Sequence, residues 1–94
     1  MEEKYNKAGY VIGSTYRSKV LNAIYTLGHS TPTNIAYLCG IRVNHISKIL
    51  RELKEAGLVK CINPDVRKGR IYCITDEGEQ ILKLVNRMRG KKHA

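Results

Sequence analysis

Between Pro32 and Gly57 the sequence sets two helical apolar stripes end to end, with only Gly40-Ile41-Arg42 between them. Immediately after Gly57 the apolar period changes from helical to extended. A three-residue break holding glycine cannot let one helix run on as the next. It forces two helices to cross steeply and pack on a shared core. The leading helix of this pair is expected over residues 32–39. Thr31 caps it, Pro32 takes the first helical position, where a missing amide costs nothing, and Gly40 stops it. Ile35, Ala36 and Leu38 are expected to point inward. The following helix is expected over residues 43–56. Val43, Ile46, Ile49, Leu50, Leu53 and Ala56 recur there at three- and four-residue steps, and Gly57 supplies a left-handed end.

The flanking segments complete a small domain. A helix over residues 14 or 15 to 27 is capped by Ser14, ended by Gly28, and carries Val20, Leu21, Ile24 and Leu27 on one stripe. Residues 58–62 and 70–75 read as paired strands around a turn-rich loop, 63–69, that is basic at its far end. Thr75 then caps a last helix over residues 76–89. Asp76, Glu77 and Glu79 sit in its first turn, where the helix dipole favours negative charge, and Ile81, Leu84, Val85 and Met88 form its apolar face. Residues 1–13, polar and holding Gly9 and Gly13, are expected as an arm, with Tyr10, Val11 and Ile12 extended against the domain. Residues 90–94 are expected as a frayed basic tail. The domain proper is thus residues 14–89, one core for a chain of 94 residues.

Charge narrows what such a domain touches. Seventeen Lys and Arg against eight Asp and Glu leave a net charge of +9. An excess of that size repels itself unless an anion neutralises it, and nucleic acid is the commonest large anion. No apolar run approaches the roughly 20 residues of a membrane span, and the start MEEKYNKAGY lacks the basic and apolar regions of a secretory signal. Neither membrane nor export is expected, and the location implied is cytoplasmic and nucleoid-associated. Cys39, Cys61 and Cys73 are odd in number and form no CxxC pair, so reduced, packed thiols are expected and no metal or other cofactor. The weaker alternative is a redox switch between Cys61 and Cys73, which fall on the two paired strands. No nucleophile–base pair, carboxylate pair or Gly-rich phosphate loop stands at a useful spacing, so no catalytic residue is assigned and an enzyme is not expected.

Two helices about a tight turn, followed by a basic hairpin, describe an α+β winged helix-turn-helix: a three-helix core, a two-stranded wing and a C-terminal helix. Wound at 100° per residue, the helix over 43–56 gathers its apolar residues on one side. Asn44, Lys48 and Arg51 lie opposite, with Ser47 beside them and Arg42 and His45 flanking the start. Arg and Lys reach guanine acceptors and Asn bonds adenine bidentately. From Arg42 to Arg70 eight basic residues stand against Glu52, Glu55 and Asp65 alone. Arg67, Lys68 and Arg70 crowd at the wing tip, suited to phosphate or to the adjacent minor groove. Arg17, Lys19, Ser30, Thr31, Thr33 and Tyr37 are further candidates for phosphate contact. The last helix is apolar beyond one face, because Leu82 adjoins Ile81 and Val85. That suggests a homodimer through this helix and the N-terminal arm.

The run TPTNIAYLCGIRVNHISKILRELKEAGLVKCINPDVRKGRIYCITDEGEQIL resembles winged helix-turn-helix transcriptional regulators of the broad MarR/ArsR-like type, above all small archaeal members. The carrying features are T-P-x-x-I-A from Thr31, S-K-I-L-R-E-L-K-E-A-G-L-V from Ser47 and G-R-I-Y-x-I-T-x-E-G from Gly69. The resemblance implies a regulator of double-stranded DNA. Asn44, Ser47, Lys48 and Arg51 would read bases, and Arg67, Lys68 and Arg70 would contact DNA from the wing. The metal-sensing cysteine motif of ArsR proteins is missing here, and the flanks are shorter than those of MarR proteins. The alternative function is a winged-helix module that docks protein or RNA in a larger complex. Such a surface calls for aromatic or Met anchors on the exposed face of the third helix.

Overall fold

The computed structural model describes residues 2–90. The order is α1 (Glu2–Ile12), α2 (Thr15–Leu27), α3 (Pro32–Cys39), α4 (Val43–Glu55), β1 (Val59–Cys61), β2 (Tyr72–Ile74) and α5 (Asp76–Gly90). Local signals fix most of these bounds. Ser14 Oγ accepts from Arg17 N at the head of α2, and Thr31 Oγ1 accepts from Asn34 N at the head of α3. Each such cap is worth about 1 kcal/mol. Gly40 takes a left-handed conformation (φ 67°), and its N–H closes α3 on the carbonyl of Ala36. Two residues later α4 begins. That is the shortest route by which α3 and α4 can both press Ile35, Ile46 and Leu50 into one core.

The core gathers one face of every helix. Val20, Leu21 and Ile24 of α2, Ile35 of α3, Ile46, Leu50 and Leu53 of α4, Leu58, and Ile81 and Val85 of α5 are all fully buried or within 1% of it. β1 and β2 pair antiparallel, with Val59 opposite Ile74, Lys60 opposite Cys73 and Cys61 opposite Tyr72. Ser30 adds a single bridge to the outer side of β2, its N–H and carbonyl exchanging hydrogen bonds with Tyr72 at 3.1 and 2.8 Å. The hairpin is therefore stitched to the α2–α3 connection and does not hang free. Thr75 Oγ1 accepts from Gly78 N and donates to the carbonyl of Gly57, capping α5 and tying it to the end of α4. Gly78 touches the backbone of Leu58 so closely that a Cβ there would overlap the Leu58 carbonyl oxygen. Glycine is thus required inside the first turn of α5, despite its helix cost.

Several expectations are corrected. Residues 2–12 form a helix and not an extended arm. Ala8 and Val11 are fully buried, and α1 lies against α5 and α2. That placement consumes the apolar width of α5: Ile81, Leu82 and Val85 are buried within the chain, so the wide stripe by itself calls for no second copy. Met88, expected on the packed face, is exposed, as are Leu38 and Val43, which lie at the edges of their stripes. Cys61 and Cys73 sit one position out of register, so their side chains leave opposite faces of the two-stranded ribbon and cannot meet. The switch is ruled out by the pleat. The expected tail at residues 90–94 lies, beyond the backbone of Gly90, outside the described residues. Among the described residues no helix is long and apolar enough to cross a membrane.

Candidate nucleic-acid interface

Helix α4 presents a core face, an outer ridge and two flanks. Ile46, Ile49, Leu50 and Leu53 face the core. Asn44, Lys48 and Glu55 form the outer ridge, with Arg51 at its edge toward the hairpin, all exposed. Between ridge and core run two flanks. His45 and Glu52, seven residues apart, turn toward α2; Val43, Ser47 and Lys54 turn toward the hairpin. The outer ridge carries no aromatic or Met side chain.

The hairpin flank opens into a groove of about 760 Å³. Leu50 and Tyr72 line its base. Ser47, Arg51 and Lys54 of α4 form one wall, Arg67, Lys68 and Arg70 of the hairpin loop the other, and Thr31 and Thr33 at the head of α3 close one end. Five cationic side chains thus meet three aliphatic hydroxyls and the amide end of a helix, with no carboxylate among the lining residues. That chemistry is complementary to a phosphodiester chain.

Asn63 prepares the loop for this. Its Nδ2 donates to the carbonyl of Gly69 at 3.1 Å and its Oδ1 accepts from Ile71 N at 2.7 Å. One side chain therefore closes the loop across its root. Arg70 adds a second brace, Nε donating to the carbonyl of Val66 at 2.8 Å. This leaves the two terminal guanidinium nitrogens of Arg70 for a ligand.

The nine residues singled out in the sequence are all exposed. The groove collects five of them: Ser47, Arg51, Arg67, Lys68 and Arg70. Asn44 and Lys48 lie on the adjoining ridge. Arg42 precedes α4 as its N-cap residue and makes no side-chain cap bond. His45 stands edge-on to Tyr16, ring centroids 6.1 Å apart, on the flank away from the groove. Arg17 is not among the residues lining the groove, and its guanidinium is held by Glu52 and by Tyr10 of α1. Tyr37, 91% exposed, takes no part in the core. Sequence reasoning missed Lys54 and Asn63. Lys54 shares the helical angle of Val43 and Ser47, so the winding alone could have found it. Asn63 gave only a turn signal.

Titration adds one limit. Burial pushes the Cys39 thiol up from its ordinary value, against the opposing pull of Lys19, and its Sγ donates to the Lys19 carbonyl. A thiol held protonated is a poor nucleophile and a poor metal ligand.

A family model described as winged helix-turn-helix matches residues 17–93. Among solved structures, a MarR family transcription regulator superposes with a TM-score of 0.76 at 22% identity, over 84% of this chain and 53% of that one. The present chain thus spans about half of that protein's length. A mutant MarR from E. coli complexed with operator DNA gives a TM-score of 0.76 at 19% identity, over 97% of this chain and 69% of that one. The transcriptional regulator BldR from Sulfolobus solfataricus gives 0.70 at 24% identity, over 95% and 66%. At these identities the likeness is one of fold. No curated protein matches the sequence.

Proposed function

The chain belongs to the winged helix-turn-helix family, and from that premise we propose that it is a sequence-specific, double-stranded DNA-binding transcriptional regulator and not an enzyme. The observation that carries the proposal is the shared groove. Arg51 and Lys54 of α4 and Arg67, Lys68 and Arg70 of the wing face one concave space without a carboxylate. In this reading α4 enters the major groove. Asn44, Ser47, Lys48 and Arg51 reach base edges, with Arg42 and His45 at the flank of the helix start. The wing residues hold the backbone or the adjacent minor groove. Support also comes from a solved structure of the same fold, the MarR mutant complexed with operator DNA. A cytoplasmic, nucleoid-associated location accompanies this activity.

Homodimerisation belongs to the proposal, with Tyr5 and Met88 as the most exposed apolar side chains of α1 and α5. Selection of bound duplexes from a random pool tests both parts. A motif with two-fold symmetry and half-sites about 34–36 Å apart is expected. Recovery of an asymmetric single motif would remove the dimer, and recovery of no motif would remove sequence reading.

A second reading, as a protein- or RNA-docking module, draws on Tyr37 and Leu38, exposed side by side on α3. It expects Tyr37→Ala to abolish partner capture while duplex binding is absent or unselective.

A further inference from the structure

We propose that Arg17, lying off the groove, is a positioning residue that sets the angle of α4, and that α1 holds Arg17 in place for this task. The inference rests on the DNA-reading function proposed above and assigns a role to residues that the groove does not use.

Two consecutive residues at the head of α2 engage two positions of α4 one heptad apart. Tyr16 meets the ring of His45 edge-on, and Arg17 Nε donates to Glu52 Oε1 at 3.2 Å. The two contacts lie about 10 Å apart along α4. A helix held at one point can still roll or tilt about it; one held at two points along a flank cannot do so freely. Arg17 is itself fixed by α1. Its Nη1 donates to the Tyr10 carbonyl at 2.9 Å, and its guanidinium lies 3.7 Å from the centre of the Tyr10 ring. Next along α2, the buried Ser18 donates to the Val11 carbonyl and accepts from Arg89 of α5. The Arg17 and Glu52 side chains are only 22% and 26% exposed, so water screens the pair less than it would an open surface pair. The chain of contact thus runs from α1 through Arg17 to the flank of α4, while the opposite flank faces the groove.

Charge and position make opposite demands on Glu52, and that separates them. A carboxylate on a DNA-binding helix repels a polyanion, so removing it should strengthen binding to any duplex. If Glu52 instead holds the helix angle through Arg17, removing it should weaken binding where angle matters, at the base-reading contacts. The experiment uses the full chain and the duplex recovered from the random pool, beside a random duplex of equal length. Glu52→Gln is expected to lower affinity for the selected duplex by about three- to tenfold and to leave or raise affinity for the random one, so that the ratio falls. Arg17→Gln should lower the same ratio. The double variant should lose no more than the larger single loss, because both act through one contact.

Tyr10→Leu keeps every charge and the backbone carbonyl and removes only the ring beneath Arg17. It is expected to shift the ratio in the same direction by a smaller factor, and it serves if a Glu52 variant fails to fold. Melting of each variant is followed by circular dichroism. A ratio unchanged or raised in Glu52→Gln, with the fold intact, overturns the proposal, as does additivity in the double variant. Absence of duplex binding by the parent chain would instead overturn the functional reading itself.

Discussion

The two flanks of α4 carry different side chains and put them to different uses. On the flank toward α2, His45 and Glu52 are engaged by Tyr16 and Arg17. On the flank toward the wing, no hydrogen bond or ion pair among the described residues holds the side chains of Ser47, Arg51 or Lys54. They face Arg67, Lys68 and Arg70 across open space. Like charges gathered without a counterion repel one another and lower stability. The fold neutralises the first flank itself and leaves the second for something anionic from outside. Mobility does not account for the contrast, since the wing loop is closed at its root by Asn63 and braced by Arg70.

The largest expected effect is a loss that both flanks share. Leu53, fully buried on the core face of α4, supports them equally. Leu53→Ala should lower the unfolding free energy by about 2–5 kcal/mol, read from urea denaturation. A loss below about 1 kcal/mol would mean that α4 is not seated as described. Arg51→Ala tests the open flank alone. Binding to the selected duplex should weaken by about 1–3 kcal/mol while stability stays within about 0.5 kcal/mol. Equal losses on selected and random duplex would make Arg51 a phosphate contact. A marked fall in melting temperature would erase the distinction between the flanks.

How much of this was legible in the residues depended on distance along the chain. The starts of α2, α3 and α5 and the stops of α3 and α4 follow from caps within four residues, Ser14, Thr31 with Pro32, Thr75, Gly40 and Gly57, and those are local chemistry. The open flank was legible for the same reason, because winding a helix needs only its own sequence. What escaped was set by partners far away. Among its described side chains α1 buries only Ala8 and Val11 completely, too narrow a stripe to announce a helix, and it is held in place by contacts to α5 and α2. Arg17 looked like a free cation, because Glu52 lies 35 residues on. The Ser30 bridge is a single residue and leaves no periodic trace. The tie between Cys61 and Cys73 failed on register, which a one-residue offset decides.

Smaller effects sharpen the comparison further. Lys68→Ala should weaken selected and random duplex binding alike and make the log–log salt slope shallower by about 0.9, one phosphate's share. A selective loss would move Lys68 from the backbone to the bases. The smallest effect concerns a charge that the fold has already neutralised. Lys7 Nζ donates to Glu77 Oε2 at 2.8 Å, joining α1 to α5. That hydrogen bond raises the Lys7 pKa above its ordinary 10.5, against a desolvation that acts the other way. The raised folded-state value means that the stabilisation is fully present below pH 10.5 and is lost as pH climbs through the higher folded value. The difference in denaturation midpoint between the parent and Lys7→Met should therefore be flat from pH 7 to about 9.5 and shrink above about 10.5. A difference that grows with pH would reverse the assignment.

The dependence of duplex affinity on salt is the sharpest trial of the idea that the open flank and the wing form one surface for a polyanion. With six to eight phosphates neutralised, log affinity should fall against log salt with a slope of about −5 to −7. A slope near zero would mean that these cations do not meet the backbone of DNA, and the assignment to gene control would go with them.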